Sequence, residues 1–447
     1  MRTPTEALSV VRVLPEDDSL RMLLHNEVHA RPTPLIRMPA LIAFVAVLNG
    51  GISREQELEH LRLLPGQEGL MLDRLSENFL RLTLETCSVK WERHTEFTRY
   101  TVVQTMPEEV LLGAQEPQLI SLIAVNAQWL QGIPGRVICA IELAMLHGDL
   151  DQPGSTLELA RRWFGGRPVV ASLMGSNGHS FAMTDFHVHD DGFERMLVVA
   201  PSGTPDTRPG RIAQRLFEIE TYRMMALRGL VVVKDIGSML TQSEQALAEI
   251  TTRLEGKVES DPQLLEALVA LAAGVERAIA LHNFRFSATR AYKSLVDQRI
   301  NELREKIIPG HQTIGEFMQR RLSPAIATVA ATERRLTSLS QRISRTSALL
   351  RTKVDIATEE QNQLLLEKLT RGQEMQLRLQ STVEGLSIAA ISYYVVSLLL
   401  YGGKALKSAG IPINPEVAAG ALIPLVLWAV WRTTQSIHRK FQSKHLS

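Results

Sequence analysis

Cysteine is scarce in this chain. Its 447 residues include two, Cys87 and Cys139, with no CxxC and no His/Cys spacing suited to zinc. That excludes a disulfide framework and points to a reducing compartment. An excess of charge is also missing: 49 Lys and Arg stand against 48 Asp and Glu, and no basic stripe interleaves with aromatics. Nucleic acid is therefore not an expected partner. The opening MRTPTEALSVVRVLPEDD lacks the charged-then-apolar order of a secretory signal, so no cleaved peptide is expected. No Ser-His-Asp, Cys-His or nucleotide-binding fingerprint occurs. GSNGHS (175–180) is too short for a phosphate loop and lies between strand-like segments, so it reads as a hairpin turn. No enzyme is expected and no catalytic residue is assigned.

Long uncharged runs are present, at the C-terminal end. Residues 385–403 contain no charge, and neither do residues 417–431. The first run has about the length that a hydrocarbon core of roughly 30 Å requires. Pro412, Asn414 and Pro415 mark a short loop between the two, which makes a transmembrane hairpin. Trp428 and Trp431 sit where interfacial anchors belong, and Arg432, Arg439, Lys440 and Lys444 form a basic tail. Positive residues stay inside, so both termini are expected in the cytoplasm. Lys404 and Lys407, in the loop, run against that rule. The earlier apolar run at 38–51 is too short to span and reads as a buried strand.

The expected fold class is an α/β cytoplasmic domain, then long antiparallel helices and a stem helix leading into the transmembrane hairpin. Alternation at 79–103 predicts two strands, and 169–200 predicts two or three. Helices are predicted near 52–66 and 117–132. The Pro- and Gly-rich stretch 201–210 reads as a domain boundary. The resulting divisions are 1–205 for the α/β domain, 206–310 for a helical hairpin and 311–384 for the stem, with a kink expected at Pro324. The spans follow at 385–403 and 417–432, with an external loop at 404–416 and a tail at 433–447.

Steps of four and three back from Tyr401 meet Ser397, Tyr394, Ala390, Ser387, Val383, Gln380, Gln376 and Gln373. This heptad seam is almost wholly small or polar, where a coiled-coil seam or a lipid-facing stripe would be apolar. Two readings compete. In one, small and hydroxyl residues let neighbouring spans pack closely. In the other, several copies turn the seam toward a water-filled axis, where hydroxyls and amides replace part of an ion's hydration shell. The candidate lining is then Gln373, Gln376, Gln380, Ser387, Tyr394, Ser397, Tyr401 and Gly402.

The fragments HNEVHARP (25–32), KWERHTEF (90–97) and LFEIETYRMMAL (216–227), with YY…Y at 393–401, closely resemble a bacterial family of membrane-anchored proteins of unknown function. The architecture resembles the CorA-type magnesium transporters and their zinc-transporting relatives. That resemblance implies a homopentamer whose first span lines the pore and ends in a Tyr-Gly-Met-Asn signature. Here the place reads Tyr401-Gly402-Gly403-Lys404, so the Tyr-Gly matches and the Met-Asn is missing. In such transporters the asparagine helps to bind a hydrated cation, whereas Lys404 repels one. The two glycines also fit a plain helix end. The expected function is a CorA-like channel or transporter for inorganic cations. Its alternative is a membrane-anchored scaffold or sensor that does not transport.

Metal candidates are few. His25 and His29 flank Glu27 at helical spacing, but Pro32 and Pro34 follow at once and favour a structural role. If 185–189 is a strand, Asp185, His187 and His189 share one face, a Zn²⁺ or Mn²⁺ donor set. In a CorA-like assembly such a divalent-ion site, for Mg²⁺ or Zn²⁺, would serve as a gate sensor. It would also be the starting point of a weaker third reading, a metal-dependent enzyme. The polar outer face of an edge strand has the same pattern. Lys90, Glu92, His94 and Glu96 alternate likewise and read as solvated cross-strand pairs.

Overall fold

The apolar run at 38–51 forms strand β1 (Ala40–Leu48), buried at every position but the last. Its even-numbered side chains, Ile42, Phe44 and Ala46, enter one core, and Ala43, Val45 and Val47 enter another on the opposite face. A strand covered on both faces needs no polar alternation, which explains the continuous run. The computed structural model describes residues 15–22, 24–25, 35–107, 119–150, 153–255, 261–412 and 414–442. The chain divides into two compact units, Met1–Arg345 and Thr346–Ser447.

In the first unit, β1 belongs to a nine-stranded sheet of order β2-β3-β4-β1-β5-β8-β7-β6-β9. The other strands are β2 (Phe79–Thr83), β3 (Cys87–Arg93), β4 (Phe97–Thr105), β5 (Arg136–His147), β6 (Val170–Met174), β7 (Ser180–Val188), β8 (Glu194–Ala200) and β9 (Lys306–Ile307). Among them only β5 and β8 pair in parallel. The stretch 79–103, read as two strands, folds with its continuation as three. Its turns contain neither Gly nor Pro and are closed by Leu84 N–H donating to Cys87 O and His94 N–H to Phe97 O, both at 2.8 Å.

Helix α1 (Arg54–Arg62) opens on a capping box. Gln56 N–H donates to the Ser53 hydroxyl at 3.3 Å, and Ser53 N–H donates to the Gln56 carboxamide at 2.9 Å. The helix predicted near 117–132 is instead a 3₁₀ turn (Leu119–Leu122) and a short helix α2 (Ala127–Gln131). The Asn126 side chain accepts from Gln128 N–H at 2.8 Å and so starts α2 afresh. Helices α1 and α2 cover Trp91, Tyr100 and Val102, while α3 (Pro153–Trp163) covers Ala144, Phe181 and Leu197.

The opposite face lies under α4 (Thr207–Glu255), α5 (Asp261–Leu303) and the start of α6 (Ile314–Ser408). Ile212, Leu216 and Phe217 of α4, Val296 of α5 and Met318 of α6 share one core with Ile42, Phe44, Ile141 and Leu143. Phe44 and Phe217 stack with centroids 4.4 Å apart, worth about 1 kcal/mol beyond the area they bury. The stretch 201–210 is therefore a change of element type inside one compact unit. Pro324 lies within α6, and the helix continues through it.

The second unit contains the rest of α6 and α7 (Pro415–Gln442). Both helices are long and apolar enough to cross a membrane by length and composition. Helix α6 does not stop at Tyr401-Gly402-Gly403 as the helix-end reading expects. It runs to Ser408 and closes in a Schellman motif. Gly410 adopts φ +99°, Gly410 N–H donates to Lys407 O at 3.2 Å and Ile411 N–H to Leu406 O at 3.3 Å. Pro415 then takes the first position of α7, where its missing N–H costs nothing.

Candidate functional site

Position around α6 decides what the polar seam faces. Gly403 approaches α7 so closely that an added Cβ would lie 3.3 Å from Pro415 Cβ. Ser392, eleven residues earlier and thus about 20° away on the helix, is buried. Tyr394 and Tyr401 lie two residues from these positions, about 200° around the axis. Ser387, Ala390, Tyr394 and Tyr401 are exposed, and Ser397 is half-buried. Gln373, Gln376 and Gln380 are exposed on the same helix, and Gly402 has open space beside it. The seam residues therefore point away from the chain's own second span. Ser387 turns its hydroxyl onto Val383 O at 2.8 Å, and the Tyr393 and Tyr394 rings meet edge to face at 5.8 Å. Lys404 Nζ stands 5.8 Å over the Tyr401 ring. Arg432 lies over Trp428 at 5.0 Å, as at an interfacial belt.

The Gly403 contact gives a direct expectation. Gly403→Leu forces α6 and α7 apart and lowers stability by about 1–3 kcal/mol, as overpacking does. Gly420→Leu, on α7, meets nothing within 4 Å and leaves the thermal midpoint in detergent near wild type. Equal midpoints for the two variants would refute the close approach.

At 185–189 the structure corrects the period-two reading. Pairing of β7 with β8 shifts register between Thr184 and Val188, and Phe186 takes φ 49°. Asp185 and His189 meet, Nε2 to Oδ2 at 3.1 Å, while His187 is exposed with its ring 5.5 Å from that of His189. The space between them is taken by Arg167, whose guanidinium lies 3.7 Å from Asp185 and 3.4 Å from His189. Burial pulls the His189 imidazole below its usual range, and Asp185 opposes this only in part. A guanidinium stands where a metal ion would. Among the described residues no three His, Cys, Asp or Glu side chains converge on a metal-holding arrangement. His25 is described, but Glu27 and His29 lie outside the described residues.

The alternating charges of β3 are not solvated. Val89 and Trp91 fill the core under α1 and α2, so Lys90 and Glu92 point to the α4 face, where they are 8% and 3% exposed. Glu92 stands directly across from Arg99 of β4. Lys90 Nζ lies 3.0 Å and Arg99 Nε 3.8 Å from Glu92. Arg99 also reaches His94 Nε2 at 3.0 Å and Glu218 of α4 at 3.7 Å. Glu218 in turn accepts from Gln214 at 2.9 Å and from Arg299 of α5. At the β3–β4 turn, Glu96 accepts from the Tyr292 hydroxyl at 2.9 Å and from Arg285. A cavity of about 50 Å³, large enough for water, lies where Ser88, Lys90, Glu92, Thr101 and Gln214 meet the apolar Ile36, Phe44 and Phe217.

KWERHTEF and LFEIETYRMMAL thus meet across the sheet–helix interface. The chemistry there is mutual neutralisation, which pins the register of α4 and α5 on the sheet. Sequence reading found the residues but missed their burial. The signal available was the apolar content of 212–226, which required a sheet face to cover.

A sheet domain with helices on both faces, long helices beyond it and two C-terminal apolar helices defines the class: an α/β domain joined to a candidate two-span membrane hairpin. The family described as protein of unknown function (DUF3422) matches residues 16–441, and the chain belongs to it. No curated protein and no solved structure matches.

Proposed function

We propose that the chain is a CorA-like, homo-oligomeric inner-membrane channel or transporter for inorganic cations, with both termini cytoplasmic. Five copies of the first span surround the axis. Tyr401 and Gly402 form its outer constriction, Tyr394, Ser397 and Ser387 lie below, and Gln380, Gln376 and Gln373 continue beneath the membrane. One observation carries the reading: Ser387, Tyr394 and Tyr401 of the polar seam are exposed and lie on the side of α6 opposite its contact with α7. A polar stripe at bilayer depth must meet water or a polar partner. The second span does not supply one, so other copies do.

The test begins with the subunit count of the detergent-solubilised full-length protein by native mass spectrometry. A pentamer supports the reading, and a monomer or dimer rejects it. Flux of Mg²⁺, Zn²⁺, Na⁺ and H⁺ into liposomes follows, and Tyr394→Phe and Ser397→Ala alter it while expression holds. Unchanged flux in both rejects the lining. Lys404 places an ammonium at the mouth. At about 6 Å in water one such charge costs a monovalent cation about 0.7 kcal/mol, a factor of about three. Lys404→Gln is therefore expected to raise cation flux at least threefold.

A second reading is a membrane-anchored scaffold or sensor that does not transport. The observation favouring it is Lys404 held over Tyr401, which opposes cation entry.

A further inference from the structure

The β6–β7 turn, the first turns of α4 and the end of α5 enclose a cleft of 560 Å³. Its walls carry Arg208, Arg211 and Arg215 from α4 and Arg304 from the end of α5, with His179 from the turn; its carboxylate is Glu302. Glu302 is already taken, by Arg215 at 3.2 Å and Arg299 at 2.7 Å. Arg304 reaches the Ser176 hydroxyl at 3.4 Å. Among the described residues neither Arg208 nor Arg211 pairs with a carboxylate, and Asp206 just before them lies 3.8 Å from Arg37. The cleft therefore carries an uncompensated charge of about three, supplied by Arg208, Arg211 and Arg304.

Helix physics sharpens the anomaly. Positions 208, 211 and 215 share one face of α4, and like charges so spaced repel. They also stand at the positive end of the helix, whose first turn holds no acidic residue. Two unfavourable placements coincide in one cavity, and a bound anion relieves both. Burial, then the fields of Arg208 and Arg211, hold the His179 imidazole below its usual range, which registers the same positive potential.

We infer that this cleft binds a compact phosphate group carrying two or more negative charges, through Arg208, Arg211 and Arg304. Guanidinium forks match phosphate oxygens in pairs, and a phosphate dianion brings more acceptor oxygens and more charge to three guanidiniums than one carboxylate or chloride does. The apolar floor is Met174, Ile212 and Leu303, and the lining holds no Phe, Tyr or Trp. The ligand class is an inorganic or small organic phosphate or a lipid phosphate head. The inference is independent of the pore reading.

The test is isothermal titration of the full-length protein in detergent with sodium diphosphate at constant ionic strength. A parallel titration uses soluble dihexanoyl phosphatidic acid. Arg208→Gln/Arg211→Gln is expected to weaken binding at least tenfold, whereas Arg136→Gln, exposed on β5, leaves it unchanged. Saturable diphosphate binding with that loss assigns a soluble phosphate. Binding of the lipid analogue alone, with the same loss, assigns a lipid head. No binding of either, or binding that survives the double variant, overturns the inference. The double variant should melt no lower than wild type, since it removes cations from the positive end of a helix. If it does not fold, Arg304→Asn repeats the test with an expected loss of threefold or more. Asparagine tolerates the φ of 49° found there.

Discussion

Arg223→Met is expected to destabilise the chain by about 3–5 kcal/mol, read as a fall in the denaturation midpoint of the full-length protein in detergent. Arg223 forms an ion pair with Glu220, one helical turn away, and approaches Glu194 of β8 at 3.6 Å. Its guanidinium lies 5.4 Å from the Phe186 ring. Glu220 is fully buried, so water cannot replace the cation it loses. An uncompensated buried carboxylate costs far more than the pair contributes, because the low-dielectric surroundings have nothing else to offer it. Glu220→Gln/Arg223→Met removes both charges and is expected to recover most of the loss. A single variant that costs less than about 1 kcal/mol would show that the pair is solvated in solution.

Glu194→Gln should stabilise the protein at pH 8 and do little at pH 5. Burial, then the neighbouring Glu220 charge, pushes the Glu194 carboxyl up to about 9. Burial pushes Glu142 up to about 8 against the opposing pull of Arg195, 3.8 Å away. In the unfolded chain both groups ionise near the usual value of about 4.3. Over the interval from there to 8–9 the folded state holds protons that the unfolded state has lost. Stability therefore falls as pH rises through that window. For Glu194 alone the penalty at pH 7 is at most about 4 kcal/mol, at 1.36 kcal/mol per unit. Glutamine keeps the shape without the ionisable proton and removes the penalty. A midpoint shift of equal size at pH 5 and pH 8 would rule out a protonated Glu194.

The two predictions concern residues inside LFEIETYRMMAL and the strand beside it, stretches whose importance sequence reading registered without a mechanism. Glu218 and Glu220 fall in the helical hairpin that the sequence predicts over 206–310. Local spacing gives the helix but not the depth to which a neighbouring sheet buries it. The same limit applies to Lys90 and Glu92. Period two correctly put them on one face, and only the packing of α4 made that face an interior. At 185–189 the spacing itself misled. A register shift at Phe186 and the arrival of Arg167, eighteen residues before Asp185, replaced a donor set by an ion pair. The turns at 84–86 and 94–96 were hidden because they contain neither Gly nor Pro. The cleft at Arg208 and Arg211 was hidden because its walls come from residues near 176, 211 and 304.

The sequence by itself determined the α/β character of the first part, the long helices after 206 and the two apolar C-terminal helices. Each follows from a period or a run that needs no distant partner to be read. It also determined that Tyr401, Tyr394 and Ser387 fall on one side of a helix. Tertiary structure decided which side. The close approach of Gly403 to Pro415 turned that seam away from the second span, and the Schellman end at Gly410 carried the helix past Tyr-Gly-Gly. It likewise decided that alternating charges of β3 are buried and that four arginines share one cleft. Burial and convergence depend on contacts between residues far apart in the chain, and local pattern carries no information about them.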